Sequence, residues 1–303
     1  MITVVIPTYN RIEFIEPTLA SIFQQKVDFN IEIIMVDDGS TDGTADWVEA
    51  NFPTVKVIRQ QNRGVSAARN VGVIHARADL VAFCDSDDLM LPGRLSAQYA
   101  FLNSHKSAVI VAGNFLDFNS KNGVSRTCRF DHAGLGIAKD MSGLAQGFLK
   151  NCIRIGNPIF STGMFRKEVF MSLGGFAEGL RNCEDFELRA RIATAGDVGI
   201  IDKPLMLVRN DSHARLSGNL SKPNPYESMV DYWLNEQRHL YRKHKEFRAH
   251  VRKWAAHVVM QAYSTSDASE IERLSKKYKS ELSLQGLIKG YLAMFLKSMK
   301  TLT

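Results

Sequence analysis

A chain of 303 residues with 45% hydrophobic and 23% charged content has the make-up of an ordinary globular protein, long enough for a large core plus an appendage. Its net charge of +6 is uneven: from Glu236 onward 14 Lys or Arg face 6 Asp or Glu, whereas residues 1–235 hold 24 against 26. Four cysteines with no C-x-x-C pair exclude a disulfide scaffold or zinc ribbon, and no uncharged apolar run approaches the roughly 18 residues of a membrane span.

The opening Met1–Pro7 lacks the basic and long apolar regions of a secretory signal, so a reducing, cytoplasmic setting is expected. Residues 1–117 then alternate β-rich runs with helical patterns. Strands are expected at Ile2–Ile6, Ile31–Val36, Val55–Arg59 and Leu80–Cys84, with helices at Ile12–Gln25, Thr44–Asn51 and Ser66–Ala76. That rhythm predicts an α/β fold built on a mostly parallel sheet with flanking helices. Ile12, Ile15, Leu19, Ile22 and Phe23 recur at helical spacing and are expected to bury one stripe on the sheet.

Residues 118–220 are more irregular, with a helix expected at Glu184–Ala195 and an extended piece at Pro204–Arg209. Beyond Pro223-Asn224-Pro225 the pattern is helical to the end, which predicts a domain over 1–222, in halves of about 1–117 and 118–222, and a basic helical region over 223–303.

Ligands of open α/β sheets gather at the carboxyl ends of the strands. Four polar loops fall there: Pro7–Arg11, Asp37–Asp42, Gln60–Ser66 and Asp85–Asp88. The last is the most telling, because Val81-Ala82-Phe83-Cys84 runs straight into Asp85-Ser86-Asp87-Asp88. Carboxylates so close repel one another and are tolerated where a cation neutralises them, and oxygen ligands suit Mg²⁺ or Mn²⁺.

After the second strand, turn and capping chemistry accounts for Ser40, Thr41 and Asp42 but not for the adjacent acids Asp37 and Asp38. Asp38 is therefore expected to accept from a base imide or a ribose hydroxyl. Tyr9 either stacks on a base or simply packs, with Pro7 stiffening the turn beneath it. No G-x-G-x-x-G follows the first strand, which argues against a nicotinamide enzyme. At Asn62–Asn70 a glycine loop opens a helix carrying Ser66 and Arg69, a weak but physically sound phosphate site.

In this order, Val5-Ile6-Pro7-Thr8-Tyr9-Asn10-Arg11, Val36-Asp37-Asp38-Gly39-Ser40, Gly64-Val65-Ser66-Ala67-Ala68-Arg69-Asn70 and Asp85-Ser86-Asp87-Asp88 resemble the motifs of family 2 glycosyltransferases over roughly residues 1–220. The resemblance implies a Rossmann-like GT-A fold, an inverting mechanism and a nucleotide-sugar donor, usually a UDP-sugar. It further implies that Pro7, Tyr9, Arg11 and Asp38 lie at the nucleotide and Arg69 near the diphosphate. Asp85 and Asp87 match the D-x-D pair, Asp87 on the metal and Asp85 on ribose or a metal-bound water.

Glu184-Asp185 matches the family's acidic pair, which makes Asp185 the expected general base. A carboxylate at a helix start is also what the helix dipole favours, a reading that suits Glu184 at least as well. Downstream, Arg209–Ser217 is similar to the family's closing segment, with His213 a candidate for the metal or diphosphate shell and Arg209 or Arg215 for phosphate. The Q-x-x-R-W signature of processive members is absent, so one sugar per event is expected.

At the end, Leu284, Leu287, Ile288, Tyr291, Leu292, Phe295 and Met299 share one helical stripe opposite Lys289, Lys297 and Lys300. This amphipathic helix either lies on an anionic membrane face, near a lipid-linked or glycan acceptor, or packs on the catalytic domain or a second subunit. Trp233, Tyr241, Trp254 and Tyr263 read as core of the basic helices, with no nucleic acid partner. A receiver domain would be far shorter, and a nucleotidyltransferase would need a glycine-rich triphosphate loop near its start. A catalytically degenerate donor-binding partner is the alternative to an enzyme.

Overall fold

The computed structural model describes residues 1–119, 121, 123–124, 142–145, 148, 160–180, 182–211, 225–265 and 268–282. The chain divides into two compact units, Met1–Leu216 and Ser217–Thr303.

The first unit opens with β1 (Ile2–Thr8), α1 (Ile15–Phe23), β2 (Ile31–Asp37), α2 (Thr44–Asn51), β3 (Lys56–Arg59), α3 (Val65–His75) and β4 (Leu80–Phe83). It continues through β5 (Leu89–Met90), α4 (Arg94–Ser104), β6 (Ala108–Asn119), β7 (Gly123–Val124), β8 (Ser142–Leu144), β9 (Gly163–Arg166), α5 (Lys167–Ser172), α6 (Glu184–Ile192) and β10 (Asp197–Arg209). The main path of the sheet runs β3-β2-β1-β4-β9-β6-β10-β5. Its pairings make β1, β2, β3, β4, β6 and β10 run one way, with β9 and β5 reversed, so the sheet is mostly parallel, as expected.

Val4, Val5, Ile6, Ile34, Val36, Val81 and Phe83 are fully buried in this sheet because helices cover both its faces. One correction concerns α1. Ile15, Leu19 and Ile22 are buried, but Ile12 is 36% and Phe23 47% exposed. The N–H groups of Phe14 and Ile15 close a turn onto the Arg11 carbonyl, so the helix starts at Ile15 and leaves Ile12 outside. Phe23, at the last turn, stacks on Phe52 at the surface with centroids 5.7 Å apart.

The extended piece expected from Pro204 begins at Asp197, because Val198 to Ile201 also pair with β6. The acidic helix ends at Ile192 rather than Ala195.

The second unit contains α7 (Pro225–Asn235), α8 (Arg238–Lys243), α9 (Lys245–Thr265) and α10 (Ala268–Lys277). Trp233 and Trp254 are buried, and Trp233 meets Phe247 and His250 edge-on at 5.9 and 5.4 Å. Glu227 ties α7 to α10 by accepting from Arg273 and Lys277. No described helix is long and apolar enough to cross a membrane. The amphipathic stripe from Leu284 to Met299 lies outside the described residues.

Candidate active site

The loops after β1 and β2 are knitted together. Asn10 takes the left-handed conformation with φ of 50°, which lets its N–H reach Ser40 Oγ at 2.9 Å while its Oδ1 accepts from the Thr41 N–H at 2.8 Å. Asp42 accepts from the N–H groups of Thr44 and Ile12. Burial raises that carboxyl, but the hydrogen bonds from Thr44 and Ile12 outweigh it and leave Asp42 below the usual carboxylate value. Pro7 is buried near the end of β1, and Tyr9, just past that strand, is 45% exposed.

Asp38 is buried and anchors the next loop. Its Oδ1 accepts from Gln60 Nε2 at 2.7 Å and the Arg63 N–H at 2.9 Å, and its Oδ2 from the Gly64 N–H at 2.8 Å. The strand-end acid thus holds the turn that opens α3.

At the end of β4, Asp85 to Asp88 form a turn closed by the Asp88 N–H on the Asp85 carbonyl at 3.1 Å. Thr18, buried on α1, donates its hydroxyl to the carbonyls of Ser86 and Asp88 at 3.2 and 2.9 Å. From β10, the Arg209 N–H reaches Asp88 Oδ1 at 2.9 Å and its Nε the Asp87 carbonyl at 3.2 Å. Phe14 and Phe118 flank the Arg209 guanidinium at 4.7 and 4.5 Å. Asp88 is therefore turned inward as a structural acceptor, while each carboxylate of the D-x-D pair faces an arginine. Arg69 Nη2 is 2.9 Å from Asp85 Oδ1, and Arg11 Nε is 3.6 Å from Asp87 Oδ2.

Beneath this turn Arg94 is fully buried, donating to the Phe83 carbonyl at 2.8 Å and to Gln98 Oε1 at 3.2 Å. Burial lowers its guanidinium to about 10 against the opposing pull of Cys84, Asp88 and Asp85. Cys84, also buried, is pushed well above the ordinary thiol value by desolvation.

The acidic pair arrives from α6. Cys183, in the left-handed conformation with φ of 65°, turns the chain into the helix, and Glu184 and Asp185 occupy its first turn. Facing them is Arg69, whose side chain is only 5% exposed. It sits deep because Gly72, on the same helix, lies against Val5 where any Cβ would clash. Its Nη1 is 3.3 Å from Asp185 Oδ1 and 3.5 Å from Glu184 Oε1. One guanidinium therefore gathers Asp85, Glu184 and Asp185. Its Nε–H is buried with no acceptor among the described residues.

Asp185 keeps 29% of its side-chain surface. Desolvation pushes its carboxyl up to about 7, with Arg69 opposing and the charges of Glu184 and Asp85 adding to the rise. An acid poised near neutrality beside a cation is suited to accepting a proton.

Of the residues singled out by sequence, Arg69, Asp85, Glu184 and Asp185 meet directly, and Arg11 meets Asp87. Asp38 and Pro7 shape adjoining loops, and His213 and Arg215 lie outside the described residues. Sequence reading passed over Thr18, Arg94 and Gln98, which bond mostly to main-chain groups and leave no motif. A signal did exist for Thr18: Thr18, Ser21 and Gln25 form a polar line along an otherwise apolar helix face.

The family model described as Glycosyl transferase family 2 matches residues 3–174, more than half of the chain. The chain belongs to glycosyl transferase family 2. The matched span contains the D-x-D turn and Arg69 and ends before Glu184-Asp185. Among relatives, an uncharacterized glycosyltransferase of Rickettsia conorii is 29% identical over 244 residues, covering 78% of this chain and 37% of its own. Glycosyltransferase GlyG of Streptococcus pneumoniae is 33% identical over 127 residues, covering 41% and 42%. This family 2 chain thus spans less than half the length of those curated relatives. In fold it is similar to S. aureus TarS residues 1–349, crystallised in complex with UDP-GlcNAc, with a TM-score of 0.63, 18% identity and 93% of both chains covered. The GT-A expectation agrees with that likeness.

Proposed function

We propose that the chain transfers one sugar, with inversion, from a nucleotide-sugar donor of the UDP class to a glycan or lipid-linked acceptor. The observation that carries this reading is the convergence of Asp85, Glu184 and Asp185 on the buried Arg69 guanidinium. The meeting of a D-x-D turn and a second acidic pair at one cation supports a site where donor and acceptor chemistry come together.

In the reaction, ionised Asp185 accepts the proton of the acceptor hydroxyl. The hydroxyl oxygen bonds to the anomeric carbon as the bond from that carbon to the diphosphate oxygen breaks, and its electron pair leaves with the nucleoside diphosphate. Attack opposite the leaving group inverts the centre. Arg69 orients Asp185 through its Nη1. Tyr9, exposed just past β1, offers a stacking face for the base.

Asp85 and Asp87 fit a hard divalent ion, Mn²⁺ or Mg²⁺, because both present carboxylate oxygens from one turn with 32% and 17% of their side-chain surface open. Among the described residues no group of three or more His, Cys, Asp or Glu forms a ready metal cage, so donor oxygens and water would complete the shell. Such an ion, when bound, neutralises charge on the departing diphosphate. The basic residues from Glu236 onward favour work beside an anionic membrane face.

The test is calorimetric titration with UDP, with other nucleoside diphosphates and with UDP-sugars, each with and without Mn²⁺. Metal-enhanced UDP binding and turnover of one UDP-sugar are expected. Absence of binding to all of them would leave the chain a degenerate partner protein.

A further inference from the structure

Arg69 links Asp85 directly to the acidic pair on α6, and a second element braces α6 against α3. That element is the turn Leu173-Gly174-Gly175-Phe176, which is gripped from two sides. From α3, the carboxamide of Asn70 pairs with both main-chain groups of Phe176: Nδ2 donates to the carbonyl at 3.0 Å, and Oδ1 accepts from the N–H at 2.8 Å. The same Nδ2 reaches Glu178 Oε1 at 3.0 Å, and Arg63 holds the other Glu178 oxygen at 2.5 Å. From α6, Arg191, buried and paired with buried Glu187, donates to the carbonyls of Leu173 at 2.6 Å and Gly175 at 2.7 Å.

The turn is shaped for this grip. Gly174 and Gly175 have φ of 83° and 68°, and a Cβ on Gly175 would come within 2.5 Å of Asn70 Oδ1. The ring of Phe176 then lies 5.1 Å from the Arg69 guanidinium, one residue along α3 from the clip itself.

We propose that Asn70 is a positioning residue for sugar transfer. Its two-point clip on Phe176 sets, through the 173–178 turn, where Glu184 and Asp185 stand relative to the Asp85 turn. Asn70 touches neither the D-x-D carboxylates nor the acidic pair, so it acts on the chemical step and not on donor affinity. This inference rests on the reading of Asp185 as the base. Displacing a reacting group by about 1 Å costs roughly a hundredfold in rate, which makes such a strut matter.

The experiment compares Asn70→Ala, Asn70→Asp, and Asn70→Asp combined with Glu178→Gln. Asn70→Asp keeps the acceptor for the Phe176 N–H but removes both donated bonds and sets a carboxylate against Glu178. The added Glu178→Gln returns a donor to that contact. Each variant is measured for kcat and KM at saturating donor, for UDP affinity by calorimetry, and for amide hydrogen exchange. The expected result is UDP affinity within about threefold of the parent, kcat lowered about 30- to 100-fold, and partial recovery of kcat in the double variant. Exchange should quicken across 173–186 and stay unchanged across 65–69.

A kcat within about threefold of the parent, or a parallel fall of kcat and UDP affinity, overturns the proposal. Glu178→Ala, which removes the surface contacts to both Asn70 and Arg63, should give a several-fold loss in kcat with UDP affinity unchanged; no change there also counts against the clip. If Asp185→Asn retains parental activity, the base assignment falls, and the exchange pattern alone then decides the clip.

Discussion

Nη1 of Arg69 stands 3.3 Å from Oδ1 of Asp185, joining residues 116 positions apart across the mouth of the sheet. The Nη2 on the same guanidinium holds Asp85 at 2.9 Å. Removing this cation leaves three carboxylates facing one another in a cleft. Breaking a buried ion pair costs about 3–5 kcal/mol, and the residual exposure of these acids places Arg69→Met near about 2–3 kcal/mol. Urea denaturation at pH 7 should show that loss. It should shrink towards pH 4, where protonation relieves the repulsion. A loss below about 0.5 kcal/mol at pH 7 would mean that the three acids do not depend on Arg69.

The raised carboxyl of Asp185 makes a prediction of definite sign for pH. Desolvation, assisted by Glu184 and Asp85 against the pull of Arg69, sets its ionisation at about 7. A base must be ionised, so kcat should rise about tenfold per unit as pH climbs towards 7 and level off above it. Stability should move the other way. A carboxyl whose folded value lies above its unfolded one binds more protons when folded, so stability is full below the unfolded value and falls as pH rises through the folded one. Asp185→Asn should therefore abolish transfer, keep UDP binding, and stabilise the protein at pH 8 by on the order of 1 kcal/mol. Parental activity in this variant would refute the base assignment.

How far residue types reveal a fold is visible at particular positions here. Ile15, Leu19 and Ile22 show a helical period and are buried, and the alternation before residue 117 leads to a parallel sheet because each β-branched run must be covered on both faces. The insertion of reversed β9 between β4 and β6 left no such trace: its partners lie some 50 to 85 residues away, and only three-dimensional closure selects them. The site divides in the same way. Carboxylates at strand ends stand out in sequence because their repulsion demands an explanation. Thr18 does not stand out, because it bonds to carbonyl groups that every residue carries, and Asn70, though it closes the Gly64–Asn70 motif, gives no sign there of its bonds to the main chain of Phe176. Arg69 stands out in sequence only as a cation in the first turns of a glycine-led helix; its hold on Asp85, Glu184 and Asp185 depends on how closely Gly72 lets α3 approach Val5.

Thr18→Val tests the support of the acidic turn. Valine keeps the shape and deletes the hydroxyl that serves the Ser86 and Asp88 carbonyls. Leaving buried acceptors unsatisfied costs about 1–2 kcal/mol, which denaturation should register. Metal-dependent UDP affinity should fall about three- to tenfold, because the turn that presents Asp85 and Asp87 loses its tether. Unchanged affinity alongside lowered stability would confine Thr18 to a purely structural role.

Asp87→Ala separates the metal reading from simple charge. In the metal-free protein Asp87 shares its charge with Arg11 at 3.6 Å, so two roles compete for one carboxylate. Without Mn²⁺, removing Asp87 deletes a negative charge and breaks the ion pair with Arg11, and UDP should bind about two- to threefold more tightly. With Mn²⁺, the parent should gain affinity and the variant should gain almost none, because one of the two carboxylates of the D-x-D pair is gone. The opposite signs are the useful feature, since general damage to the fold would weaken binding in both conditions. Calorimetric titration of parent and variant, with and without Mn²⁺, reads both arms. A variant that keeps the parental response to Mn²⁺ would remove Asp87 from the metal site and leave it as the partner of Arg11.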